Sequence, residues 1–362
     1  MSHPEATALP APTRSFVTVD DPRRRQCHAS TVAVAEGAPV VAWFAGTREG
    51  TPDNRIWLSG PNGIHPLDTG RDVAHWNPVL APDPSEAGVV WLFAKAGPRI
   101  SQWVTLVTRT RDGGATWEPP RELVQGDRSG GRGPVKNPPL VTPEGVWLAP
   151  ASVEHWSEPP CWEPFVDISA DGGTTWLRTP IPVDRSALRG AGHIQPSLWL
   201  GPDGPVALMR STEGRAYRAV SGDGGRHWGA AAPTGLPNNN SGLCALALPS
   251  GRIACVHNPS SQDWGSRCPL AVSVSDDDGV TWRQAAVVDD GLTAVDPAVP
   301  QLLDARARPG FAPGDTGVVT SGVAEFSYPT AVLDGSDLLI TYTWQRRGIV
   351  LARLPLTLLE KS

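Results

Sequence analysis

The sequence predicts an all-β protein: a single six-bladed β-propeller with Asp-box hairpins, its ring closed by an N-terminal strand. Three observations carry this. An eight-residue motif recurs, a longer unit around it recurs six times, and 38 glycines with 38 prolines in 362 residues interrupt any long helix.

The motif, here called the Asp-box, reads "TRDGGATW" at 110–117, "SADGGTTW" at 169–176, "SGDGGRHW" at 221–228 and "SDDDGVTW" at 275–282. A worn copy, "SGPNGIHP" at 59–66, has Pro61 where the others carry Asp112, Asp171, Asp223 and Asp277. Each copy follows a β-rich run such as "FVDIS" or "LAVSVS" and precedes a second run, as a hairpin requires. Its glycines supply turn angles that other residues resist, and its aspartate can accept hydrogen bonds from the turn's own amides. Its tryptophan offers a broad apolar face to set between neighbouring sheets. All three roles are structural. The box is expected to be frame, on the outer rim, with the chemistry elsewhere.

A polar residue followed by a small residue or proline lies 26 to 35 residues before each box. These markers are His28-Ala-Ser, Asn77-Pro-Val, Asn137-Pro-Pro, Gln195-Pro-Ser and Asn240-Ser-Gly, with Tyr328-Pro-Thr as a sixth that has no box. Some 15 to 20 residues after each marker an apolar run ends in another polar or aromatic residue: Arg48, Lys95, Glu154, Arg210, His257 and Trp344. Six units of two inner strands plus an outer hairpin make six blades. The last unit lacks a fourth strand, which "RSFVTV" (14–19) is expected to supply, after a flexible lead-in over residues 1–13. In a propeller the first strands line the axis and their entry loops open on one face. The markers are expected to converge there.

Net charge is -6 with both signs interspersed, so neither nucleic acid nor a membrane is expected as a partner. "MSHPEATALPAPTRS" has no apolar stretch for a leader, and Cys27, Cys161, Cys244, Cys255 and Cys268 are scattered without CxxC spacing. Together these point to a cytoplasmic protein with reduced thiols. The eight histidines show no ligand spacing, and no phosphate loop, serine elbow or dinucleotide fingerprint occurs. No metal and no cofactor is expected, and the oligomeric state is left open.

The boxes, combined in order with "FAGTREGTPD", "HIQPSL", "MRST", "SRCPLAVS" and "EFSYP", resemble the sialidase (neuraminidase) superfamily, in particular its bacterial BNR repeat-like branch. The resemblance runs from about residue 15 to 355. It implies six blades and a site built from an arginine triad, a tyrosine nucleophile with a glutamate partner, and an aspartate acid/base. Carried onto this chain, it implies Asp53 as acid/base, Tyr328 as nucleophile, Arg210 and Arg267 as carboxylate-binding arginines, and Arg48 as a contact to another substituent. The pattern breaks twice: His28 stands where the first triad arginine is expected, and Gln195 where a glutamate is expected. Two arginines still offer paired, charge-assisted hydrogen bonds to a carboxylate. Gln195 cannot take the proton of a phenol whose ordinary pKa is about 10, which leaves His28 or Glu325 to activate Tyr328. Lys95, Asn137, Glu154 and His257 are expected to ring the pocket, and Trp344 to offer a stacking face to a sugar. Each residue also has an ordinary structural role open to it. The arginines can bridge blades, His28 can bond at a strand start, and Asp53 can cap a turn after Pro52.

Three functions from different classes follow, with an acidic carbohydrate as the expected partner. An exo-glycosidase acting on a carboxylated sugar suits a neutral tyrosine, which attacks a centre already bearing a carboxylate without charge repulsion. A lyase acting by β-elimination on a uronic acid-containing glycan suits His28 and Tyr328 as a base and acid pair, with arginines stabilising the enolate-like charge. A non-catalytic carbohydrate-binding propeller fits less well with a funnel so rich in ionisable residues.

Overall fold

Short runs rich in valine, isoleucine, leucine and tryptophan, broken by glycine turns, form strands throughout the computed structural model, which describes residues 12–301 and 324–360. After β1 (Thr13–Val19), blade 1 holds β2 (Gln26–Ala35), β3 (Ala38–Gly46), β4 (Arg55–Gly60) and β5 (Gly63–Pro66). Blade 2 holds β6 (His75–Pro82), β7 (Val90–Ala96), β8 (Val104–Thr110) and β9 (Arg121–Glu122). Blade 3 holds β10 (Leu140–Val141), β11 (Trp147–His155), β12 (Cys161–Ser169) and β13 (Leu177–Pro180). Blade 4 holds β14 (His193–Gly201), β15 (Gly204–Ser211), β16 (Arg215–Val220) and β17 (Ala232–Pro237). Blade 5 holds β18 (Cys244–Ala247), β19 (Ile253–His257), β20 (Leu270–Ser275) and β21 (Arg283–Asp289). Blade 6 holds β22 (Phe326–Asp334), β23 (Asp337–Trp344) and β24 (Gly348–Pro355), with β1 as its outer strand.

β1 runs antiparallel to β24, from Thr13 opposite Arg353 to Val19 opposite Gly348. The N-terminal strand closes the ring, as the sequence predicts. Of the lead-in expected over 1–13, residues 1–11 lie outside the described residues, and Thr13 is already paired. Inner strands meet around the axis: β2 packs on β6 and β22, β14 on β11 and β18, and β18 on β22. Among the described residues no helix is long and apolar enough to cross a membrane, and the five cysteines are free thiols.

The core lies between blades. The six largest apolar clusters each join two neighbours, for example Ala42 and Phe44 with Leu80 and Leu92, or Val256 and Val272 with Ile340 and Tyr342. The box tryptophans complete four of these seams. Trp117, Trp176, Trp228 and Trp282 each pack between their own blade and the one before it.

The rest of the box locks the turn. Ser169 Oγ donates to Asp171 Oδ1 at 2.8 Å, while Asp171 accepts from Thr175 N at 2.9 Å and from Thr175 Oγ1 at 2.6 Å. Asp277 repeats the pattern with Ser275 and Thr281. Hydrogen bonds from Thr116 and Thr175 hold the Asp112 and Asp171 carboxyls down to about 2, so these aspartates are committed to structure. Trp228→Ala, at the most buried of the four box tryptophans, should cost about 3 kcal/mol of stability in urea unfolding. Activity per folded molecule should not change; an inactive but fully stable variant would contradict the frame role.

Candidate active site

Four inner strands carry the same irregularity. One extra residue enters β2 between His28 and Thr31, β6 between Trp76 and Val79, β14 between Ile194 and Ser197, and β22 between Ser327 and Thr330. Within these bulges Ala29, Asn77, Gln195 and Tyr328 are left-handed, with φ of 52°, 39°, 55° and 52°. A bulge re-aims a side chain, and a left-handed tyrosine costs about 1–3 kcal/mol, strain of a kind that concentrates at functional sites. This register corrects the marker alignment in blade 1. Ala29, not His28, is the counterpart of Asn77, Gln195 and Tyr328, and His28 corresponds to Trp76 and Ile194. His28 still reaches the axis. Its ring centroid lies 4.2 Å from that of Tyr328, and its Nδ1 is 3.0 Å from Thr343 Oγ1.

All six blades line one axial pocket of about 100 Å³. Blade 1 gives His28 and Glu49, and blade 2 gives Trp76, Asn77, Ile100 and Trp103. Blade 3 gives Glu154, Trp156 and Trp162, and blade 4 gives Gln195 and Arg210. Blade 5 gives Trp264 and Arg267, and blade 6 gives Tyr328 and Arg346. Larger clefts of about 510 and 890 Å³ lie on the outer rim beside the boxes, without this convergence of charge from every blade.

Three buried guanidinium groups dominate it. Arg210 Nε donates to Asn240 Oδ1 at 3.0 Å, and its Nη1 donates to Gln195 Oε1 at 3.1 Å and to the Tyr328 hydroxyl at 2.5 Å. Because the phenol oxygen accepts there, its own proton points elsewhere. Arg267 Nη1 and Arg346 Nε both reach Glu325 Oε1 at 2.9 Å, and Arg346 Nη1 reaches Glu49 Oε2 at 2.6 Å. Their planes are thus fixed from behind, and no described residue accepts from the Nη2 of Arg210, Arg267 or Arg346. Arg346 fills the charge deficit that His28 leaves in the resemblance. It comes from the tight β23–β24 hairpin, two residues past Trp344.

Titration sorts the remaining groups. Burial pushes the Glu154 carboxyl above the usual range, against the opposing pull of Arg210. Burial also drives His28 well below its usual range, and Arg346, Arg267, Arg210 and Lys136 add to this, so its imidazole is neutral. Asp53 behaves in the opposite sense to a general acid. Although partial burial acts to raise it, hydrogen bonds from Thr51 and Thr47 keep it low, the Thr47 amide donating at 2.7 Å.

Of the residues proposed from sequence, the structure gathers His28, Glu154, Gln195, Arg210, Arg267 and Tyr328 in the pocket. Arg48 and Asp53 are exposed and do not line it; Glu49, between them in sequence, does. Lys95 is buried away from it, donating to Thr105 Oγ1 at 2.8 Å and to the Arg132 carbonyl at 2.7 Å. Asn137 ties blade 3 to blade 4 through the carbonyls of Gln195 and Pro196. His257 sits inside blade 5 beside Ser273 Oγ at 2.9 Å, and burial lowers it to about 4. Glu325 serves the two arginines and Ser327. Trp344 is 1% exposed and packs edge-on to Phe16, so it offers no face to a sugar. Sequence reading missed Glu49, Arg346 and the tryptophan walls; Glu49 and Arg346 lie just past the ends of β3 and β23, where no repeat marks them. Among the described residues no cluster of histidine, cysteine, aspartate or glutamate is placed to hold a metal.

A family model described as "BNR repeat-like domain" matches residues 37–340. No curated protein matches the chain in sequence. A Dyadobacter fermentans protein of unknown function shares the fold at TM-score 0.66 and 17% identity, over 95% of this chain and 99% of that one. Trypanosoma rangeli sialidase superposes at TM-score 0.61 and 10% identity, over 96% of this chain and 57% of its own. The NanB sialidase of Streptococcus pneumoniae, as its K499G mutant, does so at 0.66 and 10%, over 99% of this chain and 73% of its own.

Proposed function

We infer that this chain, which belongs to the BNR repeat-like domain family, is a glycoside hydrolase of sialidase type acting on a terminal carboxylated sugar. One observation carries the reading above the others: Arg210, Arg267 and Arg346, from three blades, meet in one small pocket. Among the described residues none accepts from their Nη2 groups, and a planar carboxylate is the matching partner for guanidinium.

In this reading the substrate carboxylate seats on the three arginines. Glu154, whose carboxyl burial makes a weaker acid, gives a proton to the glycosidic oxygen as the bond to the anomeric carbon breaks. The Tyr328 oxygen bonds to that carbon, and its phenol proton passes to neutral His28. Burial first, and then the charges of Arg346, Arg267, Arg210 and Lys136, disfavour imidazolium at His28, and a bound carboxylate would offset the second of these. Water then attacks the tyrosyl intermediate, giving its proton to the Glu154 carboxylate, while Tyr328 recovers its own from His28.

The test is incubation with sialosides and glucuronides, following reducing-sugar release and near-ultraviolet absorbance together. Hydrolysis predicts the first without the second, and silence in both across the panel would sink the enzymatic reading. Activity should fall as pH rises through the raised pKa of Glu154, because the acid form is the active one. Glu154→Gln should flatten that alkaline limb and lower kcat/KM about a hundredfold.

A second reading, β-elimination on a uronic acid, rests on one feature. Among the described residues the Tyr328 hydroxyl bonds to an arginine and its ring neighbour is a neutral histidine, with no carboxylate bonded to it. That pairing suits acid and base roles in proton abstraction. It predicts the opposite outcome, an unsaturated product absorbing in the near ultraviolet.

A further inference from the structure

We propose that Lys136, in the segment between β9 and β10, is the positioning residue that holds Tyr328 in its attacking orientation. This rests on the reading of Tyr328 as nucleophile and goes beyond it, because Lys136 does not line the pocket. The bulge in β22 breaks the cross-strand register between Ser327 and Thr330, so Tyr328 and Pro329 have no register partners in β23. Tyr328 is left-handed, φ 52°, although the proline after it favours extended backbone at that position. Arg210 Nη1 holds only the hydroxyl end of this residue. Lys136 holds the backbone: its Nζ donates to the Pro329 carbonyl and, at 3.1 Å, to Asn137 Oδ1.

The contact has a cost that a purely structural side chain would avoid. Lys136 is 4% exposed, and among the described residues no carboxylate pairs with it. Burial lowers its ammonium to about 8, and Arg210 adds to this, so the group still carries its charge near neutrality. An unpaired buried charge is expensive, yet a charge-assisted bond to a carbonyl is stronger than a neutral one, and it opposes the strain at Tyr328. The stem is closely fitted. A Cβ on Gly242 would lie 3.0 Å from Lys136 Cε and 3.2 Å from Tyr328 Cγ, so lysine stem, glycine and phenol ring pack at one point. Asn137, next in the chain, makes the matching contact toward blade 4, donating to the Gln195 and Pro196 carbonyls at 3.3 and 2.9 Å. Gln195 and Tyr328 are the two residues that share Arg210 Nη1. One dipeptide thus holds both left-handed bulges that this guanidinium joins.

Two variants test this. Lys136→Met keeps the length of the side chain without its donors, and Lys136→Gln keeps a neutral donor. In steady state, on the acidic glycoside that the parent turns over best, Lys136→Met should lower kcat about a hundredfold with KM within about twofold, because the arginines still seat the ground state while the phenol is misaimed. Lys136→Gln should recover part of that loss. In carbon-13 spectra of protein labelled at tyrosine Cζ, the three tyrosines of the chain give three lines, and Tyr328→Phe identifies the one that matters. That line should broaden or split in Lys136→Met, while those of Tyr217 and Tyr342 stay in place. A parent-like kcat per folded molecule, a Tyr328 line that stays single and sharp, or failure of both variants to fold assigns the lysine to the fold and overturns the proposal. If no acidic glycoside is turned over, the nucleophile reading fails by itself, and the Tyr328 line still decides whether Lys136 holds the ring.

Discussion

Arg210→Ala is expected to lower kcat/KM on an acidic glycoside about a thousandfold, the largest loss of any single pocket substitution. Arg210 serves two parties at once. Its Nη1 holds the Tyr328 hydroxyl at 2.5 Å and Gln195 at 3.1 Å, and among the described residues none accepts from its Nη2, which in the proposed reading meets the substrate carboxylate. A hydrogen bond to a charged group contributes about 1.5–3 kcal/mol, and losing two of them together removes about 4 kcal/mol from the transition state. Arg210→Lys should not restore the rate, because a point ammonium cannot bridge a carboxylate and a phenol in one plane. Initial rates over a range of substrate concentrations check this, with urea midpoints to separate lost catalysis from lost fold. Unchanged rates would remove Arg210 from the clamp.

Glu325→Gln should instead act on stability, by about 4 kcal/mol. Glu325 is fully buried and its Oε1 receives Arg267, Arg346 and Ser327. Neutralising it leaves two buried guanidinium groups facing one another without the charge that joins them, and removing one partner of a buried ionic network typically costs about 3–5 kcal/mol. A lower urea midpoint with unchanged slope would report this directly. The alternative from sequence, Glu325 as the activator of Tyr328, predicts a stable protein with a lost rate. The two outcomes are opposed.

The blades were legible because they are local. "SADGGTTW" needs only its own serine, aspartate, glycines and threonines to close its turn, and a tryptophan at a constant offset to find the seam. Repetition then multiplies a weak signal into an architecture, and "RSFVTV" is conspicuous as a strand with no partner nearby in the chain. Tyr328, Arg210 and Arg267 were legible for a related reason: each stands within a recognisable string, Tyr328 and Arg210 on inner strands β22 and β15 and Arg267 just before β20.

What the amino-acid sequence settled alone is thus the all-β class, the six-fold repeat, the structural duty of the boxes and the strand that closes the ring. Tertiary structure decided which charged groups share the pocket, because that depends on backbone direction just beyond strand ends. In "REGTPD" a turn closed by the Thr51 amide on the Arg48 carbonyl folds Asp53 back onto the Thr47 amide. The Glu49 amide is meanwhile anchored to Gln26 Oε1, and its carboxylate meets Arg346. Glu49 and Arg346 are 297 residues apart and touch only because the ring closes. A local pattern cannot encode that meeting, since the partner that orients each side chain is supplied by another blade.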